Sequence, residues 1–518
     1  MKRSTVPVVL SAVALLLAGC GGGGSSSVAS GGKTVVDGGT FTMALPTDPG
    51  NLDPGSSAGT QLFTISQFAY DRLLAVDAGS GEIQPQLAES WKSAGKTVTL
   101  TLKPGITCSD GTPLKASDVV ANLDYVADPA NKSPFLGVFY PAGAKASADD
   151  AARSVTVKLA ADAPFVLNGL ASLPIICAAG LADHKSLATT SQGTGPYELT
   201  KATPGSEYTY KIRDGYTWGP DGATTATAGM PDTVVVKVVQ NETTAANLLL
   251  SGSLNAAQII GPDAKRLDQA GLFSAPASGL AGEQWFNHDQ ARKTSDEAVR
   301  QALTQALDLN QLAKVLTSGA GKPATTLAAA DPTACPGDST TGKLPGPDPA
   351  AAKAALAAAG VTKLSFVYEN SGGAGVTAAA ELAVQQWKAA GVEVTAKGQG
   401  GTAIQQTIFG STDWDIAWLT LNVSSPDQLV PFFSGPNALD GGTNFSAIKN
   451  DAYDAGVAAA GQESGSAGCA AWLKAESELM SAADVVPFAS SVAKTYGKKA
   501  EFATPGQIIP TSIRMLAQ

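Results

Sequence analysis

The chain has 518 residues, of which 44% are apolar and 15% are charged, so it is too long for a single core and too apolar to be disordered. Two or three folded domains are expected. The formal net charge is −10, which argues against nucleic-acid binding because that activity needs basic patches on the surface.

The amino terminus has the pattern of a bacterial export signal. Lys2 and Arg3 precede an apolar stretch at 6–18 that is too short to span a bilayer comfortably. The stretch ends in the letters LAGC, which resemble a lipobox in which cleavage precedes Cys20 and a lipid is attached to its sulfur. We therefore expect a signal peptide at 1–19 and anchoring of the mature chain to the outer face of the cell membrane. The alternative is an ordinary signal peptide followed by an incidental cysteine.

A flexible tether is predicted after the lipid site. Residues 21–32 read GGGGSSSVASGG, and no strand, lysine and helix follow in the order that a phosphate-binding loop needs. The segment 20–35 is therefore interpreted as a lipidated cysteine with a Gly/Ser linker of roughly 20 Å reach.

The first predicted strand is Thr40–Leu45, which alternates like a half-buried strand and ends at Pro46. The loop that follows reads TDPGNLDP and leaves the end of that strand. Thr47 and Asp48 in this loop are candidates for one wall of a ligand pocket. Residues of these types also serve turn geometry, so a purely structural loop is the alternative.

A set of short motifs runs through the chain in a fixed order. They are YDRLL at 70–74, PQLAESW at 85–91, DGTP at 110–113, DVV at 118–120, GTGPY at 193–197, NETT at 241–244 and VRQAL at 299–303. Together they resemble the family 5 extracellular solute-binding proteins, which include oligopeptide, dipeptide and nickel binders of ABC importers. The resemblance covers nearly the whole mature chain.

The resemblance implies an α/β, two-lobed periplasmic-binding-protein-like (type II) fold with an extra subdomain in the first lobe. Lobe I is expected at 36–70, 192–283 and 490–518, the extra subdomain at 71–191, and lobe II at 284–489. The chain would cross between the lobes near Gln284–Asn287 and near Ala489–Lys494. Two crossings permit closure of the lobes over a solute.

Lobe II has the most regular local pattern. Strand-like segments at 364–368, 392–396 and 414–421 alternate with helical segments at 375–390 and 403–409. This alternation implies parallel strands joined by right-handed crossovers. The polar loop after the last of these strands, from Asn422 to Asp427, then lies where open α/β sheets bind their ligands.

Further candidates for the ligand site lie on the last strand and at the first crossing. Alternation puts Trp414 and Trp418 on one face, with Trp418 nearest the loop. We predict that Trp418 stacks on the solute, because small-molecule sites favour aromatic walls, and that Thr420 lines the pocket. Trp414 is assigned to the core. At the crossing, Trp285 and Asn287 are the candidates, with a core position as the alternative for Trp285.

Asn422 is the most informative loop position. In peptide-binding members of the resembling family, an Asp in this loop pairs with the α-ammonium of the peptide. Matching Pro426-Asp427 to the family pattern places that carboxylate near Asn422, where this chain has no acid. Asn422 can accept a hydrogen bond but supplies no charge, and a charge-assisted bond is roughly twice as strong. The sequence therefore favours a neutral or anionic solute over an ordinary peptide.

Four cysteines remain after Cys20, and they do not form a CxxC motif. With only two histidines in the chain, zinc and redox sites are not expected. In an exported protein, four cysteines predict two disulfides, which can be paired in three ways. The alternative is that the cysteines are buried free thiols. Under the two-lobed arrangement that the resemblance implies, we expect Cys108–Cys177 and Cys335–Cys469, because each pair then lies within one lobe.

The enzyme motifs in the chain are incomplete. The G-x-S-x-G match at 55–59 follows a proline-rich loop and not a strand, and the S-x-x-K matches at 93–96 and 446–449 lack their companion motifs. His288 has no cluster of further ligands around it in the sequence. No catalytic residue, cofactor or protein-bound metal is therefore expected.

The expected function is that of a membrane-anchored extracytoplasmic substrate-binding protein. A monomer would capture an oligopeptide or peptide-like solute between its lobes and deliver it to the permease of an ABC importer with its ATPase. The alternatives are a sugar, glycoside or metal chelate as the solute, or a sensor or envelope-assembly role for the same fold.

Overall fold

The computed structural model describes residues 34–56, 59–77, 80–370, 373–463, 465–504 and 506–517. The predicted signal peptide, Cys20 and nearly all of the predicted tether lie outside these ranges. The residues from Val35 onwards form one structural unit. Within the described ranges, no helix combines the length and the apolar character needed to cross a membrane.

The amino-terminal strand matches its prediction, and the segment after it forms a small sheet with helices. The elements are β1 (Thr40–Leu45), α1 (Thr60–Ala69), β2 (Leu74–Val76), β3 (Ile83–Pro85), β4 (Ala88–Ala94), β5 (Thr97–Leu102), α2 (Ala116–Ala127), β6 (Lys145–Asp149), β7 (Ser154–Lys158), α3 (Val166–Leu170) and α4 (Ala178–Ala182). Strands β4, β5, β7 and β6 pair antiparallel in that order. Leu100 and Val155 on this sheet are fully buried in a core of its own.

The next elements begin within the range 192–283, which the sequence assigns to lobe I. The elements are β8 (Tyr197–Thr203), β9 (Glu207–Ile212), β10 (Thr233–Val238), α5 (Glu242–Ser251), β11 (Ala256–Ile259), α6 (Asp263–Gln269) and β12 (Phe273–Phe286). Strand β1 lies parallel to β10 and to β11, and Phe41 and Val236 are fully buried in the core beneath them.

Most of the remaining elements fall in the range 284–489, which the sequence assigns to lobe II. They are α7 (Glu297–Gln305), α8 (Leu309–Leu316), α9 (Pro349–Ala358), β13 (Lys363–Glu369), α10 (Ala374–Ala389), β14 (Glu393–Gln399), α11 (Gly401–Gly410), β15 (Ile416–Trp418), α12 (Val430–Phe433), α13 (Asp451–Ala460), α14 (Cys469–Ser481), β16 (Val485–Gly497), β17 (Ala500–Glu501) and β18 (Arg514–Met515).

Ten of these strands form one continuous sheet in the order β14-β13-β15-β12-β16-β11-β1-β10-β9-β8. Strand β13 is parallel to both β14 and β15, as the alternating pattern of lobe II predicts. Trp387 on α10 is fully buried against this part of the sheet, where its ring meets Phe366 edge-on.

The last of the predicted lobe II strands is shorter than expected. The run 414–421 predicts eight residues of strand, but β15 covers only Ile416–Trp418. The chain leaves the ladder because the backbone N–H of Leu421 donates to the side chain of Glu283 and not to a neighbouring strand. The binding loop predicted at 422–427 therefore begins three residues earlier.

Strands β12 and β16 connect the two halves of the sheet. They pair antiparallel from Phe273–Gly497 to Trp285–Val485, and the register shifts between Leu280 and Glu283. Gly282 lies at this bulge, and a Cβ atom there would approach the Phe488 ring to 2.4 Å. The bulge lies just before the predicted first crossing and close to the predicted second one.

Two disulfides occur in the structure, Cys108–Cys177 and Cys335–Cys469. These are the two pairs expected from the sequence. The first lies within the segment that contains β4–β7, and the second joins the segment after α8 to the amino end of α14. Neither bridge spans the bulge between β12 and β16, so neither restrains it covalently.

Candidate functional site

A cavity of about 840 Å³ lies beside the bulge of β12 and β16. Its walls come from segments far apart in the chain. They include Pro46 and Thr47 after β1, Phe63 and Gln67 of α1, residues 277–283 of β12, residues 418–420 and 422–424 at and after the end of β15, and Gln507 near the carboxyl terminus. The size is within the roughly 300–1,000 Å³ that is usual for small-molecule sites.

The loop after β15 is held to β12 by side chains. The indole N–H of Trp285 donates to the carbonyl of Leu419 at 2.9 Å, and the carboxyl of Glu283 accepts from the N–H of Leu421 at 2.8 Å. Both bonds come from buried residues two positions apart on β12. The loop is therefore held to β12 by bonds within the protein.

The side-chain amide of Asn422 makes two hydrogen bonds to the backbone of β12, as the backbone of a neighbouring strand would. Its Oδ1 accepts from the backbone N–H of Leu280 at 2.8 Å, and its Nδ2 donates to the carbonyl of Leu280 at 3.3 Å. A Cβ at Gly279 would lie 2.7 Å from that Oδ1, so the close approach needs a glycine. Asn422 also lines the cavity, but its amide serves β12, which differs from the predicted hydrogen bond to solute.

A second loop attaches to the same edge of β12 in the same way. The carboxylate of Asp331 accepts from the N–H of Ser278 at 2.9 Å, and the N–H of Asp331 donates to the carbonyl of Ser278 at 3.2 Å. The two loops also bond to each other, because the N–H of Ala330 donates to the carbonyl of Val423. Asn422 and Asp331 together cover the part of β12 that β15 is too short to reach.

Three other predicted residues line the cavity. Thr47 and Thr420 are partly exposed there. Trp418 is only 4% exposed, because its ring packs on Phe366 and Phe488 and its indole N–H donates to Gln284. Only a small part of the Trp418 ring is thus available to a solute.

Three predicted residues lie outside the cavity lining. Asp48 accepts from the hydroxyl of Tyr208 and the N–H of Gly205, so it holds the loop after β1 to the β8–β9 turn. Trp285 is fully buried and stacks on Phe433 at 5.2 Å. These contacts do not support the predicted contact with solute for either residue.

Asn287 is the third predicted residue that lies outside the cavity lining. It is 1% exposed, and its Nδ2 donates to the carbonyls of Thr412 and Trp414. It therefore fastens the start of β15 to the end of β12. The sequence argument for a pocket position rested on closeness to the crossing, whereas the side chain points into lobe II.

Glu283 is a site residue that the sequence argument missed. It lines the cavity, is 1% exposed, and its Oε1 has no hydrogen-bond partner among the described residues. Burial raises the pKa of Glu283 to about 8, although the hydrogen bond from Leu421 opposes the shift. The carboxyl is therefore mainly protonated near neutral pH and adds little negative charge to the cavity.

Asp71 and Arg72 follow α1 and also line the cavity. Asp71 is buried and accepts hydrogen bonds from four side chains, those of Gln86, Thr194, Tyr216 and Trp218. Burial raises the pKa of Asp71, and these bonds oppose the shift. Both residues belong to the YDRLL motif, which the sequence analysis used only as a family motif. Their position in the cavity wall is evident only from the fold.

No group of three or more His, Cys, Asp or Glu side chains within the described ranges is arranged to hold a metal ion. His288 is buried, and burial lowers its pKa to about 3.

A sequence model of the bacterial extracellular solute-binding proteins, family 5, matches residues 82–440. The chain therefore belongs to this family, which is one of binding proteins and not of enzymes.

Two relatives and one solved structure illustrate the similarity. The chain is 30% identical to the glutathione-binding protein GsiB of Escherichia coli (strain K12) over 294 residues, 55% of each chain. It is 25% identical to the oligopeptide-binding protein OppA of Bacillus subtilis (strain 168) over 362 residues, 64% of each chain. The matches thus span between about half and two thirds of these relatives.

The solved structure is that of a substrate-binding protein from Microbacterium hydrocarbonoxydans, complexed with 4-hydroxybenzoate hydrazide. It superposes with a TM-score of 0.81 at 27% identity, over 92% of this chain and 99% of that one. The two-lobed architecture expected from the sequence is thereby confirmed.

Asn422→Asp tests the role of the amide. The variant keeps an acceptor for the N–H of Leu280 but loses the donor to its carbonyl and sets a negative oxygen against it. We expect the free energy of unfolding to fall by roughly 1–3 kcal/mol in chemical denaturation. Asn437→Asp is the matched control, because Asn437 only accepts, from the N–H of Leu439. Equal stability of Asn422→Asp and the wild type would contradict the strand-like role.

Glu283→Gln tests the buried carboxyl. Its pKa near 8 in the folded state lies above the ordinary 4.5, so between these values the folded protein binds more protons than the unfolded chain. Stability contributed by this group is therefore present at low pH and is lost as the pH rises to about 8, by up to about 1.4 kcal/mol per pH unit. Glu283→Gln should remove this slope in unfolding curves measured from pH 5 to 9.

The control for this experiment is Glu393→Gln. The Glu393 side chain is 71% exposed and pairs with Lys363 at 3.4 Å on the surface. This variant should leave the pH dependence as it is in the wild type. The assignment to Glu283 fails if both variants give the wild-type slope.

Proposed function

We propose that the chain is an extracytoplasmic substrate-binding protein that captures a small solute in the cavity beside β12 and delivers it to an ABC import permease. The observation that carries this proposal is the 840 Å³ cavity at the place where the two strands β12 and β16 join the lobes of a family 5 fold. A solute there contacts both lobes at once.

Short peptides and peptide-like compounds are the proposed solute class. Two relatives, a glutathione-binding protein and an oligopeptide-binding protein, support this class. Thr47 from lobe I and Trp418, Thr420 and Asn422 from lobe II are the proposed contacts, since all four line the cavity.

A non-peptide solute is the second candidate. The Microbacterium protein, whose fold is similar over almost its whole length, is complexed with the aromatic compound 4-hydroxybenzoate hydrazide. The cavity of the present chain has aromatic lining in Phe63, Phe139 and Trp418 that suits such a ring.

Closure of the lobes is the proposed working motion. Asn422 and Asp331 fasten two lobe II loops to β12, and the bulge near Gly282 is the flexible point between the lobes. A solute that touches both walls stabilises the closed form by its differential affinity for that form, and the closed form docks on the permease.

We further propose that the mature chain acts as a monomer, held at the outer face of the cell membrane by a lipid on Cys20. The support is the LAGC motif after a charged and apolar leader. The Gly/Ser segment would let the folded body reorient near its permease.

A solute panel tests the function. Purified protein is mixed with glutathione, tri- and tetrapeptides, 4-hydroxybenzoate hydrazide and disaccharides, and binding is followed by native mass spectrometry and thermal unfolding. A true ligand at 100 times its Kd should stabilise the protein by about 2.7 kcal/mol. Trp418→Ala should weaken binding, whereas Trp91→Ala on β4, away from the cavity, should not. If no compound of any class binds, the proposal is wrong.

Cys20→Ser tests the anchor. In cells that express the full chain, we expect the wild type to incorporate a radiolabelled fatty acid and to sediment with membranes, and the variant to do neither. The control is Cys335→Ser, which removes a disulfide partner and not the lipid site. Fatty-acid labelling that persists in Cys20→Ser would contradict the anchor.

A further inference from the structure

Arg72 is a cation in the cavity wall for which no ion pair with a carboxylate occurs among the described residues. Its Nη1 donates to Oε1 of Gln67 at 3.2 Å, while its Nε is buried without a hydrogen-bond partner in the described part of the chain. No salt bridge to Arg72 occurs among the described residues. A guanidinium has five donors, and most of those of Arg72 are thus left open.

The carboxylate of Asp71 does not accept a hydrogen bond from the guanidinium of Arg72. Asp71 precedes Arg72 in the chain, but its oxygens already accept from four side chains. Burial lowers the pKa of Arg72 to about 10, and the charge of Asp71 only partly opposes this. Arg72 is still protonated at neutral pH.

Two other guanidinium groups that are buried or half-buried, those of Arg300 and Arg213, have more hydrogen-bond partners than Arg72. Arg300 donates to the carboxylate of Asp484 at 2.7 Å and to several backbone carbonyls. Arg213 donates to three carbonyls, those of Gly195, Thr107 and Cys108. Because burying a charge without partners is unfavourable, the open donors of Arg72 indicate a partner that the protein itself does not provide.

The backbone of Arg72 and the side chains around its guanidinium are held in place by contacts within the protein. Its backbone is fixed, since Arg72 forms a bridge with Pro174 and its carbonyl accepts from the N–H of Leu87. Its guanidinium carbon lies 6.0 Å from the centre of the Phe63 ring, and Gln67 is bonded in turn to Gln507. Amide groups and an aromatic surface therefore flank the charge within the cavity.

We propose that Arg72 binds a carboxylate of the solute, so that the captured compound is a small acid such as a peptide with a free carboxyl terminus. This inference rests on the proposed function and specifies the chemistry of its solute. The guanidinium fork matches the two oxygens of a carboxylate.

A carboxylate fits better than a phosphate. Among the described lining residues, Arg72 is the only Lys, Arg or His side chain, so a single negative charge would be compensated and a second one would not. Three carboxyl groups of the wall, those of Asp71, Asp331 and Asp77, accept from donors within the protein. A fourth, that of Glu283, is mainly protonated near neutral pH because burial raises its pKa to about 8.

The test compares acids with their amides. A synthetic tripeptide library with free carboxyl termini and the same library as carboxyl-terminal amides are each offered to the full chain, together with the pair 4-hydroxybenzoate and 4-hydroxybenzamide. Binding is measured by native mass spectrometry and by calorimetry of single compounds. We expect the acids to bind roughly 10- to 100-fold more tightly than their amides.

Variants assign the preference to Arg72. Arg72→Gln should lower the affinity for acids to that for amides, and Arg72→Lys should keep part of the difference because it retains the charge and loses the fork. Arg266→Gln is the control, since Arg266 is 44% exposed on α6 and pairs with Asp263. The unliganded melting temperature of Arg72→Gln should be equal to or above that of the wild type, because an uncompensated charge is removed.

The outcomes separate this inference from the proposed function. If amides bind the wild type as tightly as acids, or if Arg72→Gln still prefers acids, the carboxylate role of Arg72 is wrong while solute capture stands. If no member of either library and neither aromatic compound binds, both proposals are wrong. If Arg72→Gln does not fold, the comparison of acids with amides on the wild type still tests whether the site recognises a carboxylate.

Discussion

The outer edge of β12 is the constraint on which the rest of the site depends. Backbone N–H and C=O groups that leave water need partners, and β15 is too short to provide them beyond Gln284. Asn422 and Asp331 supply the missing bonds at Leu280 and Ser278. The two loops that wall the cavity are therefore fastened to the strand that joins the lobes.

The electrostatic character of the cavity follows from which charges are already satisfied. Asp71 is surrounded by donors, and Glu283 is largely neutral because burial raises its pKa to about 8. Arg72 retains its charge and most of its donors. A count of lining carboxyl groups would suggest a cavity for cations, but the hydrogen bonds reverse that conclusion. This agrees with the preference for a neutral or anionic solute that the absence of an acid at position 422 suggests.

The sequence predicted elements better than it predicted contacts. β1 and the parallel order of β13, β14 and β15 follow from local periodicity, and the family motifs indicated the two-lobed fold. Of the predicted ligand residues, those in strand-end loops line the cavity, with the exception of Asp48, which is used for turn geometry. Trp285 and Asn287 were chosen for their closeness to the crossing, but both side chains are buried and donate to backbone carbonyls beside β15.

The sequence by itself determined the family, the alternation of strands and helices in lobe II, and the loops at the ends of β1 and β15. These depend on periodicity and turn residues, which are properties of neighbours in the chain. The tertiary structure alone decided that Asn422 bonds to Leu280, that Glu283 is buried beside the loop, and that Arg72 has no ion pair with any residue that the structure describes. Each of these depends on groups more than a hundred residues apart or on the absence of a partner in three dimensions. No local pattern encodes whether a side chain's hydrogen bonds are satisfied.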